Sequence, residues 1–145
     1  MSQVGVFILS LILSLLSTPA KNIEKSFLQN NSRLLYEIFT PDSRMNISLP
    51  DPISFADQLS SQQTYFLFQE LFSVYTTFEF YLESESPHFT EGGGVILKAR
   101  WSFRNKKNAN QYVFEVFIYL AMKDPLRRRP GQTFWTISEI RAEKL

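Results

Sequence analysis

Cysteine is absent and histidine occurs once in the 145 residues. Without thiolates there is no disulfide, no lipid-modified cysteine of the bacterial lipoprotein type and no thiolate metal site. A single imidazole among carboxylates makes a poor zinc set, so neither a metal nor a cofactor is expected. An excess of one charge is lacking too. Fifteen basic residues face 14 acidic ones, a net +1 that gives no electrostatic reason for a nucleic-acid partner. Glycine is scarce, and three of the five glycines adjoin at Gly92-Gly93-Gly94. A phosphate loop needs a helix after such glycines, whereas the residues that follow read as a strand, which leaves a flexible connection.

What is present is apolar. Hydrophobic residues make up 44% of the chain and aromatic residues 15%, enough for the core of one domain without disulfides. Residues 1–20 contain no charged side chain, and Val4 to Leu16 is apolar apart from Gly5, Ser10 and Ser14. That run is shorter than the roughly 20 residues a membrane-spanning helix needs, and it matches the apolar region of a secretory signal. Thr18-Pro19-Ala20 supplies small residues for cleavage after Ala20. The expectation is a signal peptide over 1–20, a single domain over 21–145, a secreted or periplasmic location, and no stable membrane insertion once the leader is removed.

The clearest element is a β-hairpin over Val95 to Met122. Val95, Leu97, Ala99, Trp101 and Phe103 share one face of its first arm, and Tyr112, Phe114, Val116, Ile118, Leu120 and Met122 one face of its second. A turn over 105–110 sets Phe103 opposite Tyr112, Trp101 opposite Phe114, and Arg100 opposite Glu115 on the other face. Upstream, Ile23, Phe27 and Leu28 predict a helix capped by Asn22, and Leu34, Leu35, Ile38 and Phe39 a second one after an Asn30-Asn31 break, stopped by Pro41. Met45, Ile47 and Leu49 predict a short strand closed by Pro50-Asp51-Pro52. Ser60 and Gln63 form a capping box for the longest apolar helix, which should be almost entirely enclosed. Phe78, Phe80 and Leu82 then alternate with Glu79, Tyr81 and Glu83 as a strand. After Met122, Asp124-Pro125 and Arg127 to Gly131 form a turn, and a last strand from about Gln132 to Ala142 should put Trp135, Ile137 and Glu139 on the apolar face.

Helices followed by a meander give an α+β layout, with N-terminal helices packed on a curved antiparallel sheet. This order resembles the cone-shaped fold of nuclear transport factor two, scytalone dehydratase, ketosteroid isomerase and the SnoaL-like polyketide cyclases, a superfamily also termed cystatin-like. Within it the chain resembles the secreted bacterial family called domain of unknown function 4783. The similarity rests on Ile23-Glu24-Lys25-Ser26-Phe27, Leu59-Ser60-Ser61-Gln62-Gln63-Thr64-Tyr65, Glu70-Leu71-Phe72 and the closing Trp135 to Arg141, in that order and spacing. The resemblance implies a fold and a secreted location but no activity, because this fold hosts enzymes and inert modules alike.

Candidate site residues follow from the layout. His88 is a candidate general base, since histidine exchanges protons near neutral pH; without a carboxylate partner in register it reads first as a surface residue. Glu139, placed on the apolar face, is a candidate carboxylate base of the isomerase or dehydratase type, although it reads first as a strand-end residue that reaches solvent or pairs with Arg141 or Lys144. Tyr65, Phe68, Phe72, Trp101, Phe114 and Trp135 line either the core or an apolar ligand pocket in the cone, with Glu139 beside them. The leading expectation is non-catalytic binding of a small apolar ligand or a protein partner. An isomerase- or dehydratase-type enzyme is the second. A homodimeric scaffold, joined through the outer sheet face carrying Ile96, Phe117 and Tyr119, is the third.

Overall fold

In the computed structural model of the protein, residues 3–41, 43–83, 87–122 and 135–145 are described, with side chains from Leu16 onward. The Glu85-Ser86 connection, the Arg127 to Gly131 turn and the start of the last strand at Gln132 lie outside the described residues.

Among the described residues three helices precede and interleave with seven strands. Helix α1 spans Gln3–Leu28, α2 Ser32–Tyr36 and α3 Ser61–Val74. The strands are β1 (Met45–Leu49), β2 (Phe55–Leu59), β3 (Tyr75–Leu82), β4 (His88–Phe89), β5 (Val95–Asn105), β6 (Gln111–Met122) and β7 (Trp135–Lys144). They form one sheet in the order β2-β1-β7-β6-β5-β3, with β4 beside β5.

The hairpin registers as its alternation requires. Phe103 faces Tyr112, Trp101 faces Phe114 and Arg100 faces Glu115. Around it the meander β3-β5-β6-β7 is antiparallel, while β1 joins β7 in parallel and carries β2 on its far side. The sheet is therefore mixed, with a strand, β2, that periodicity does not announce: Phe55-Ala56-Asp57-Gln58-Leu59 has only its two ends half-buried.

Local chemistry sets the helices. Ser60 Oγ accepts from the Gln63 amide at 3.1 Å while the Ser60 amide donates to Gln63 Oε1 at 2.9 Å, so the predicted capping box forms and α3 starts where expected. Asn31 caps α2 by accepting from the Arg33 amide at 3.1 Å. Asn22, by contrast, caps nothing, because α1 runs through it without interruption and through Pro19 as well. One stripe of this helix, Leu16, Ile23 and Phe27, is buried, with Ala20 packed against it.

Two bulges alter the predicted faces. In β3 the register shifts between Thr77 and Glu79, which squeezes Phe78 out to 48% exposure and keeps Thr77 and Phe80 inside. In β6–β7 the register shifts between Tyr119 and Leu120, where Ser138 is the extra residue between Ile137 and Glu139. Helix α3 is also less enclosed than its composition suggests: Phe68, Leu71 and Phe72 are buried, whereas Phe66 stands 61% exposed.

Candidate functional site

The inner face of the sheet and the helices enclose an aromatic lattice. Phe27 stacks on Phe80 with centroids 4.3 Å apart and meets Phe68, Phe72 and Trp101 edge-on at 5.9, 5.6 and 5.1 Å. Trp101 stacks on Phe103 at 4.1 Å, and Phe114 meets both edge-on. Offset and edge-to-face pairs of this kind are each worth about 0.5–1.5 kcal/mol beyond burial. The Trp101 indole is satisfied inside the lattice, donating to Thr77 Oγ1 at 2.8 Å. At its border Tyr75 packs edge-on against Phe103 and Tyr112, and burial, with the Tyr112 phenol second, pushes the Tyr75 phenol above its ordinary range.

Four of the predicted pocket residues, Phe68, Phe72, Trp101 and Phe114, thus meet around Phe27 and Phe103 as packing. Trp135 is buried at the other end of the sheet, opposite Met122. Tyr65 lies at the helix surface against Tyr36 and Phe66. The two candidate bases are not in the cone. His88 is exposed in β4, opposite Ile96.

Glu139 requires a correction. The bulge at Ser138 reverses the parity of β7, so Trp135, Ile137, Ile140 and Ala142 face the core while Glu139 turns outward between Tyr119 of β6 and Asn46 of β1. A one-residue slip exchanges the two faces of a strand. The signal was present in the sequence as a phase break, because the apolar positions step by two, then by three, then by two.

Glu139 joins a polar and aromatic array on the outer face. Lys98, Phe117 and Arg141 lie in one row across β5, β6 and β7. The Arg141 guanidinium carbon sits 4.6 Å from the Phe117 ring centroid and Lys98 Nζ 6.0 Å from it, within cation–π reach. Lys98 Nζ also bridges Glu115 at 3.0 Å and Glu83 at 3.3 Å. The hydrogen bonds it donates to Glu115 and then Glu83 hold its ammonium above the ordinary lysine range. Arg100, although opposite Glu115 as predicted, is thereby left without that carboxylate, and its buried Nε has no hydrogen-bond partner among the described residues. Ile96 and Tyr119, partnered across the strands, continue the row as half-buried apolar surface.

No family model and no curated protein matches the sequence. Solved structures do match its shape. A domain-of-unknown-function 4783 family protein from Bacteroides uniformis ATCC 8492 superposes with a TM-score of 0.64 at 12% identity, over 86% of this chain and 95% of its own. A ketosteroid isomerase-like protein from Erwinia carotovora atroseptica SCRI1043 gives 0.65 at 12% identity, over 92% and 95%. A nuclear-transport-factor-two-like protein from Cytophaga hutchinsonii ATCC 33406 gives 0.58 at 8% identity, over 100% of both chains. The fold is the nuclear-transport-factor-two-like cone, and its neighbours are those that the sequence motifs indicate.

Proposed function

We propose that the protein is a non-catalytic module of the bacterial envelope that works by binding through the outer face of its sheet, with a second copy of the chain as occupant. The observation that carries this reading is the row Lys98, Phe117, Arg141 with Ile96 and Tyr119 beside it: half-buried apolar surface framed by charges of both signs. Such a patch is self-complementary about a two-fold axis, since Lys98 and Arg141 on one copy can meet Glu115, Glu139 or Glu143 on the other. The leader over 1–20 supplies the route to the envelope.

Two other readings lose ground to the same geometry. A small apolar ligand in the cone would have to displace the stacked Phe27, Phe80 and Trp101. An isomerase-type reaction, suggested by the name of the Erwinia neighbour, would need a base inside the cone, and Glu139 lies on the opposite face.

Light scattering on natively purified protein tests the proposal. Wild type should scatter as a dimer and Phe117→Lys as a monomer, because a buried unpaired ammonium at the centre of an interface costs several kcal/mol. A monomeric wild type at about 0.1 mM, or a variant that remains dimeric, would remove this face from consideration.

A further inference from the structure

On the helical side of the molecule two exposed aromatic side chains, Tyr36 and Phe66, meet the half-buried Tyr65, while Phe78, Tyr81 and Phe89 are exposed on β3 and β4. Tyr36 at the end of α2 and Tyr65 and Phe66 on α3 form a ladder with successive centroids 5.4 and 5.3 Å apart and both interplanar angles 66°. Phe66 is 61% exposed and Tyr36 40%. Adjacent large rings held in water mark recognition surfaces more often than folding requirements.

Two clefts adjoin these rings, one lined by Tyr65 and the other by Tyr36. One, of about 480 Å³, is lined by Asn31, Ser32, Arg33, Tyr65 and Gln69 among others, and the second, of about 460 Å³, by Tyr36, Ser43, Arg44, Ser61 and Gln62 among others. Both offer amides, hydroxyls and a single guanidinium, and neither is lined by a carboxylate among the described residues. Arg44 donates to the Gln58 carbonyl at 3.0 Å, whereas Arg33 makes no ion pair among the described residues.

We propose that this ridge binds an acidic oligosaccharide, with sugar rings on Tyr36, Tyr65 and Phe66 and a carboxylate on Arg33. A sugar ring has a C–H face and a hydroxyl rim. The electron-rich faces of aromatic rings attract the positive C–H groups, and amides, which donate and accept at once, suit hydroxyls that do the same. The guanidinium, lacking a carboxylate in its own cleft, is complementary in charge and fork geometry to a uronate. A nucleic acid would need a continuous cationic track, and two arginines in a chain of net charge +1 do not form one. The ridge is on the helices and the proposed dimer face is on the sheet, so each stands or falls without the other.

The test titrates the exported protein with a panel of defined uronate-containing oligosaccharides and neutral oligosaccharides of equal length, read by calorimetry. At least one acidic oligomer should bind with a Kd below about 1 mM and about tenfold tighter than its neutral counterpart. Phe66→Ala and Arg33→Gln should each weaken that binding about tenfold or more, Phe66→Trp should retain it, and Phe117→Lys should leave it unchanged. Because Phe66 is largely exposed, its variants should melt like wild type. Absence of saturable binding across the panel, equal affinity for acidic and neutral oligomers, or binding that survives Phe66→Ala would overturn the proposal.

Discussion

Asn30 ties three elements together through one side chain. Its φ of 51° places it in the left-handed region, which asparagine and glycine adopt at lower cost than alanine. Its Nδ2 donates to the carbonyls of Phe72 at 3.4 Å and Tyr75 at 3.1 Å, closing the end of α3, and its Oδ1 accepts from the Thr77 amide at 3.3 Å. Lys106 Nζ adds a donor to the same Phe72 carbonyl at 3.1 Å, where a cation also suits the helix terminus. Asn30→Ala removes these bonds and strains the backbone, and should destabilise the protein by about 2–4 kcal/mol in urea unfolding. Asn30→Gly should recover about 1 kcal/mol of that, the backbone share. A loss for alanine under about 0.5 kcal/mol would show that the amide does not hold these elements. The sequence discloses Asn30-Asn31 as a break because that is local chemistry. The bonds to Phe72, Tyr75 and Thr77 are not legible, since the partners lie 42 to 47 positions later.

Among elements, the same division holds. The hairpin β5–β6 is readable to the residue because alternation and a short turn fix its register locally. Strand β2 pairs with its neighbour β1 but, as an edge strand with only its ends half-buried, carries no alternation. The parallel pairing of β1 with β7 depends on a partner from a distant part of the chain, and the bulges at Phe78 and Ser138 depend on how much the sheet must bend. Both sheet edges are blunted by side chains: Asp57 Oδ1 accepts from the Gln58 amide and Arg44 donates to the Gln58 carbonyl on β2, while Glu24 and Asn30 take the Leu82 and Thr77 amides of β3. Occupied edge groups discourage strand addition. Helix α1 carries a sharper consequence. Its buried stripe crosses the expected cleavage point, with Leu16 only 4% exposed and Ile23 and Phe27 following it. Exported protein should begin at Lys21 by intact mass and be less stable than the unprocessed chain by about 2–4 kcal/mol, and Leu16→Ala in the unprocessed chain should reproduce most of that loss. Equal stability of the two forms would mean that the leader contributes nothing to the core.

At the scale of the molecule, the two faces of one sheet have different fates. The inner face is finished: its aromatic side chains saturate one another's contacts, and the Trp101 indole finds its acceptor within the lattice. The outer face is not, since Phe117, Ile96 and Tyr119 remain half-exposed. A near-neutral chain has little net repulsion to keep such faces apart. The proposed dimerisation through this face would link stability to concentration, because ligand-like occupancy by a second copy stabilises only the folded state. The melting temperature of wild type should therefore rise by several degrees between about 1 and 100 µM, while that of Phe117→Lys should stay constant over the same range. A wild-type melting temperature that ignores concentration would leave the outer face solvated, and with it the apolar row across β5, β6 and β7 would lose its proposed occupant.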